Sequence, residues 1–228
     1  MRNIKAIIDA DSMIYSASLS ETLEGAKSNL DRAINSALNG LESEGCEVSS
    51  YVVCSGSKGN FRKAIYKDYK ANRTQDTPEF LSELHRYCKT EWHSYFRFGV
   101  ETDDLVASIW SRSLEDKDEH PVIVAIDKDY LQFPATVYNY NKKTLVTNTE
   151  IEALRAFYTQ MIVGDSADNI KTCKGKGKAF ATKLFNDKGT KYEFMRATFE
   201  VYKELYKSKA RERFITTYLL LKLKTDVV

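Results

Sequence analysis

Pro121-Val122-Ile123-Val124-Ala125-Ile126-Asp127 is a run of six apolar residues closed by an aspartate and preceded by His120. It is too short for a typical helix and rich in β-branched side chains, so it predicts a fully buried strand. Asn3-Ile4-Lys5-Ala6-Ile7-Ile8-Asp9 repeats the arrangement, an apolar run ending in acid. Residues 48–54 (VSSYVVC) predict another strand, and shorter ones are expected at 95–98, 137–140 and 144–146. Between them, apolar residues at helical spacing predict helices over about 21–41, from Pro78 to about His93, and over 103–114. Strands alternating with helices up to about residue 148 imply an α/β fold with a mostly parallel central sheet flanked by helices. From Glu150 onward the pattern is helical. Two parts are therefore expected, an α/β core over 1–148 and a helical part over 149–228. With 3 prolines and no Gly-rich linker, the second part should pack on the same body.

The chain has 228 residues, 43% hydrophobic and 29% charged, with a mean hydropathy of −0.45. That excludes a disordered chain, and no apolar run approaches the roughly 20 residues of a membrane span. The first residues run straight into a strand without signal-peptide anatomy, and four scattered cysteines form no CxxC pair. A cytosolic protein with free thiols is expected (the host cytoplasm, if phage-encoded). The net charge of +2 conceals an asymmetry. Residues 165–228 hold 15 basic against 8 acidic side chains, a surplus of seven, whereas the first 164 residues carry an acidic excess of five. Within the acidic part lies a basic island at 61–73 (FRKAIYKDYKANR). This distribution points to a polyanion partner gathered round a carboxylate-rich centre.

In open α/β sheets, ligands collect at the carboxyl ends of the strands. Four acidic groups fall at that edge or on loops able to reach it: Asp9 and Asp11, Glu101 with Asp103 and Asp104, Asp127 with Asp129, and Asp165 with Asp168. Each alone reads equally well as a helix start or a solvated turn. Together they would repel, at about 3 kcal/mol for a pair ~5 Å apart in an effective dielectric near 20, unless cations sit among them. Oxygen-only donors with no histidine or cysteine at ligand spacing favour Mg²⁺ or Mn²⁺ over Zn²⁺. Two such ions are a common device for in-line attack on a phosphodiester. The three histidines are dispersed and form no pattern.

Five segments, IIDADSMIY (7–15), FRKAIYKDYKANR (61–73), VETDDLVASI (100–109), IVAIDKDY (123–130) and GDSADNIKTCKGKGKAFA (164–181), occur in the order found in the 5′-nuclease superfamily. The chain resembles that superfamily over roughly residues 4–187, and most of all its short stand-alone phage forms. The resemblance implies a 5′-nuclease (PIN-like) α/β fold with a helix–three-turn–helix at about 162–187. It implies that Asp9, Glu101 and Asp103 hold a first metal with Asp104 close behind. Asp127, Asp129 and Asp165 would hold a second, supported by Asp168. Lys70 and Arg73 would grip the scissile phosphate. The Gly175-Lys176-Gly177 turn would bring backbone N–H groups against a duplex phosphate and, as in relatives, bind K⁺. Arg62, Lys63 and Lys67 of the island, with Lys174, Gly175, Lys176, Gly177 and Lys178, are the candidate DNA contacts.

Three departures stand out. The strand ending near Cys54 lacks the usual aspartate, Ser55 being its nearest counterpart. Ile170-Lys171-Thr172-Cys173-Lys174 stands where Pro, Gly and an apolar residue are usual. Between Arg73 and Gly99 there is room for one helix, which argues for an open cleft over a closed arch.

The function implied is a divalent-metal-dependent 5′–3′ exonuclease or flap nuclease acting as a monomer. Its substrate would be DNA with a 5′ end, flap or gap, and RNA–DNA hybrid remains compatible. Two other readings compete. A ribonuclease on a related fold would not need a duplex clamp, and a decayed DNA-binding module would have lost more than the one carboxylate.

Overall fold

The computed structural model describes residues 2–56, 59–74 and 76–228. Its sheet has five strands, β1 (Arg2–Asp9), β2 (Cys46–Cys54), β3 (His120–Val124), β4 (Thr136–Asn139) and β5 (Thr144–Thr147), in the order β2-β1-β3-β4-β5. The β1–β2, β1–β3 and β3–β4 pairs are parallel, and β4–β5 is an antiparallel hairpin.

The central strands are apolar on both faces because both faces are covered. Ile4, Ala6 and Ile8 of β1 lie with α1 (Asp11–Ala17), α2 (Leu23–Ser43) and α4 (Leu81–Glu91), against Ile14, Leu30, Ile34 and Leu84. Ile7, which points the other way, joins Ile123 beneath Leu105, Val106 and Trp110 of α5 (Thr102–Ser113). A third cluster gathers α6 (Glu150–Val163), α7 (Lys178–Leu184), α8 (Lys191–Tyr206) and α9 (Ala210–Leu221) round Tyr158, Phe185, Phe194 and Tyr202. Tyr69 of the basic island, which opens with the short helix α3 (Phe61–Ile65), is buried in this cluster, so the island joins the helical part to the sheet. Thr149 and Thr190 start α6 and α8 with capping boxes closed by Glu152 and Glu193.

Past α9 the chain runs back along α5. The Val227 amide donates to Ser108 Oγ at 3.1 Å, Leu223 is buried against the α5 side of the sheet, and the Arg97 side chain meets the Val227 carbonyl. Among the described residues no helix is long and apolar enough to cross a membrane.

Two sequence expectations need correction. Only Tyr95 of residues 95–98 pairs with the sheet, in a single bridge to Cys54, because Arg97 turns away toward the C-terminal segment. The helix expected from Pro78 begins at Leu81, Pro78 supplying the carbonyl of the turn before it.

Candidate metal and nucleic-acid site

The neighbours β1 and β3 lead to opposite sides of the sheet, which opens a crevice at their carboxyl ends. Asp9, the last residue of β1, sits there half-buried, its Oδ2 accepting from the Tyr130 hydroxyl at 2.6 Å. Burial pushes the Asp9 carboxyl up to about 7, and Asp11 and Asp127 push the same way against the Tyr130 bond.

Glu101, Asp103 and Asp104 open α5 with carboxylate oxygens lying within 4.8 Å of one another. Burial, then the charges of Glu101 and Asp104, hold the Asp103 carboxyl well above its usual range. Glu101 goes the other way: burial opposes the shift, but Lys70, Arg62 and the Tyr69 hydroxyl keep it below the usual range.

Asp104 and Arg62 lie deeper than their neighbours. Asp104 is fully buried, and its two oxygens take a bidentate pair from Arg62 at 2.6 and 2.8 Å. Oδ1 also accepts the Lys224 amide at 2.9 Å, so both oxygens are engaged inside the protein. Arg62 is only 1% exposed and cannot meet a DNA backbone. It also donates to Glu101 at 2.9 Å and to the Leu220 carbonyl at 2.8 Å. The planar fork of a guanidinium suits this three-sided site in a way an ammonium does not.

The second acidic group is assembled by α6 and the 3₁₀ turn Lys128–Gln132. Asp127 caps that turn, accepting the Asp129 amide at 2.9 Å. Gln160 of α6 donates to Asp129 at 2.8 Å and to Asp165 at 3.0 Å, and Lys128 Nζ lies 2.8 Å from Asp165. Burial and the Asp127 charge push Asp129 up to about 7. Asp165 follows Gly164, whose φ of +81° and 2.3 Å approach of a would-be Cβ to the Ile170 carbonyl exclude any side chain. Reciprocal backbone bonds between Asp165 and Ile170, at 2.9 and 2.7 Å, close the loop and place Asp168.

The basic island is pinned to this loop. The Lys70 amide donates to the Asp168 carbonyl at 3.0 Å, and Arg73 reaches Asp168 Oδ1 at 2.9 Å. The Tyr69 hydroxyl lies 2.8 Å from carboxylate oxygens of both Glu101 and Asp168. Lys70 itself has a φ of +57°, a conformation a non-glycine residue rarely adopts, and its ammonium contacts Glu101. Lys63, Lys70 and Arg73 line a 470 Å³ cleft with Asp11, Asn60 and Glu101, and Lys67 is exposed. Lys174, Gly175, Lys176 and Gly177 form the turn before α7, with Gly175 at φ +79° and nothing crowding either glycine, and Lys178 opens the helix beside Lys128 and Asp129.

Sequence reasoning missed the residues that hold these groups in place: Tyr69, Tyr130, Gln160 and Thr102. The spacing of IVAIDKDY was the one available signal for Tyr130. Ser55 holds its buried hydroxyl against Ser94 Oγ at 2.8 Å. Asp11 clamps the crevice wall, accepting from Thr102 Oγ1 at 2.7 Å and from the Gly56 amide at 2.6 Å. A Cβ on Gly56 would lie 2.9 Å from Asp11 Oδ2, so a side chain there would make the Asp11 carboxylate shift.

The donors suit hard divalent cations. They are all carboxylates, several have pKa values raised by burial and then by neighbouring carboxylates, and lysines 70 and 128 already lie against them.

A family model described as "5'-3' exonuclease, N-terminal resolvase-like domain" matches residues 5–164. A 5'-3' exonuclease of Buchnera aphidicola is 30% identical over 132 residues, covering 52% of this chain and 46% of that protein. The flap endonuclease Xni of Shewanella loihica is 24% identical over 239 residues, covering 97% of this chain and 91% of that protein. The first curated relatives, the Buchnera exonuclease and DNA polymerase I proteins of two Bacillaceae, are longer, this chain spanning about half of the former and a quarter of the latter. The flap endonuclease of bacteriophage T5, in a complex with DNA and metal ions, superposes with a TM-score of 0.63 at 13% identity, covering 96% of this chain and 99% of that one. The chain belongs to the 5′–3′ exonuclease family.

Proposed function

We propose that this chain is a divalent-metal-dependent nuclease that hydrolyses phosphodiester bonds at 5′ ends, flaps or gaps of DNA, with RNA–DNA hybrid as a further substrate. The observation that carries the reading is the meeting of two carboxylate groups at one sheet edge with Lys70 and Arg73 laid against them. Asp9, Glu101 and Asp103 would hold one Mg²⁺ or Mn²⁺, and Asp127, Asp129 and Asp165 a second. Bound there, the ions would activate water and stabilise charge on the phosphate and leaving oxygen.

The chain's own residues do the rest. Tyr130 and Thr102 orient the first group through Asp9 and Asp11. Lys70 and Arg73 provide positive charge that, for Arg73 above all, needs no proton removal. On binding a phosphate they would exchange Glu101 and Asp168 for the substrate. Lys174, Lys176 and Lys178 would fix a duplex through its phosphates, which carries no base readout, so selection would be for structure over sequence. K⁺ at the glycine turn and action as a monomer complete the proposal.

The test uses 5′- and 3′-labelled duplex, flap and hybrid substrates with Mg²⁺ or with EDTA. Release of 5′-terminal products only with Mg²⁺ is expected. Metal-independent cleavage, or cleavage from 3′ ends, would refute the reading.

A further inference from the structure

We propose that Phe96 and Phe98 form a stacking platform for unpaired bases of the strand that enters the candidate site. The inference rests on the nuclease reading above. Tyr95 is fixed to the sheet edge, its amide donating to Val53 at 2.8 Å and its carbonyl accepting from Ser55 at 2.9 Å. Arg97 reaches inward to the Val227 carbonyl. Tyr95, Phe96 and Phe98 are 57%, 44% and 72% exposed, so three aromatic side chains within four residues meet solvent. Single exposed apolar residues are ordinary, but three exposed aromatic side chains within four residues, next to a segment that abuts a polar cleft, are not.

Their surroundings favour a polyanion with flat apolar faces. Lys89 Nζ lies 3.5 Å from the Phe96 ring centroid, putting a cation beside an aromatic face. The Gly99 carbonyl accepts from the Phe61 amide at 3.0 Å, and Gly59 packs on Gly99, so the segment abuts the wall that carries Lys63, Lys70 and Arg73. Phe98 precedes Glu101 by three residues, which confines their Cα atoms to within about 11 Å of each other. A single strand crossing Lys70 and Arg73 therefore passes these rings within a nucleotide or two. Aromatic faces stack on any base, but only on bases not already stacked in a duplex. The platform would raise affinity for an unpaired 5′ strand and leave recessed or nicked ends indifferent.

The test compares the wild type with the Phe96→Leu/Phe98→Leu double variant, which keeps apolar bulk, and with Phe96→Tyr/Phe98→Tyr, which keeps the rings. Binding is read in EDTA from the fluorescence of 2-aminopurine placed in a short 5′ flap. Cleavage is read with Mg²⁺ on the flap and on a flapless nick. The wild type and the tyrosine variant should quench the probe. The leucine variant should not, and its KM for the flap should rise about tenfold with kcat and the KM for the nick unchanged. Unaltered quenching and flap KM in the leucine variant would overturn the platform, and would leave a protein partner as the reason for the exposed rings. Equal loss on flap and nick would overturn it too. Failure of the wild type to cleave at all would count against the nuclease reading, while the EDTA arm still decides the platform.

Discussion

Tyr130 and Asp9, 121 residues apart in sequence, meet through a 2.6 Å hydrogen bond that ties the turn carrying Asp127 and Asp129 to the end of β1. The bond joins the two acidic groups and partly offsets the burial that raises the Asp9 carboxyl.

One consequence concerns pH. Asp9 and Asp129 titrate near 7 in the folded chain, against 3.8 as the ordinary value. Between those values the folded state binds more protons than the unfolded state, so stability falls as pH rises from about 4 to 7. In EDTA the melting temperature should be lower at pH 7.5 than at pH 5, a loss of 1–2 kcal/mol moving it by roughly 3–8 °C in a chain this size. Saturating Mg²⁺ should remove most of the difference. A flat EDTA profile across this range would contradict the charge crowding.

Replacing one carboxylate should separate chemistry from folding. Asp103→Asn and Asp127→Asn should each lower hydrolysis by at least ~100-fold while duplex binding is equal or tighter, since repulsion of phosphate declines. Neither variant should melt below the wild type in EDTA. Near-normal turnover by Asp127→Asn would dismiss the second metal.

Arg62 and Asp104 should behave as a buried pair. Asp104→Ala or Arg62→Ala alone should cost about 3–5 kcal/mol of stability in denaturant unfolding, because each leaves an uncompensated buried charge. The double variant should cost much less than the sum. Arg62→Lys should leave the salt dependence of DNA binding unchanged, since Arg62 lies inside the protein.

The turn before α7 should show the opposite behaviour. Neutralising Lys174, Lys176 and Lys178 together should weaken binding to all duplex sequences alike. It should also flatten the plot of log affinity against log salt by about 0.9 for each phosphate no longer neutralised. An unchanged slope would move the duplex contact elsewhere.

Helix α4 bears on threading. It is 11 residues long, about 16 Å, and its Leu84 and Cys88 are buried against the α2 side of the sheet. Tyr87 and Trp92 both donate to Asp31 of α2 at 2.8 Å, which pins α4 to the body. A 5′ flap blocked with streptavidin should therefore still be cut at a substantial rate. Loss of cutting only when the block precedes binding would show threading.

The strand ends were readable because an apolar run closed by acid leaves few alternatives, as at Asp9 and Asp127. The pairing of Arg62 with Asp104 was not. Arg62 stands beside Lys63 in one basic island, and its burial depends on a carboxylate 42 residues away and on carbonyls near the far end of the sequence. Spacing cannot reveal such a fold-dependent partner. Gln160 was missed for the same reason, since its two acceptors belong to separate segments. Residues 95–98 were expected to form a strand, but the contact of Arg97 with Val227 limits pairing to Tyr95.

The segment that runs back along α5 also puts protein synthesis out of step with site assembly. The sheet, the basic island and α5 leave the ribosome well before Leu220, Lys222 and Lys224. Until those residues follow, Arg62 lacks two carbonyl acceptors and Asp104 lacks an amide donor. The helix that carries Glu101 and Asp103 is therefore fully braced only once Lys224 has been translated, 120 residues after the Asp104 it caps.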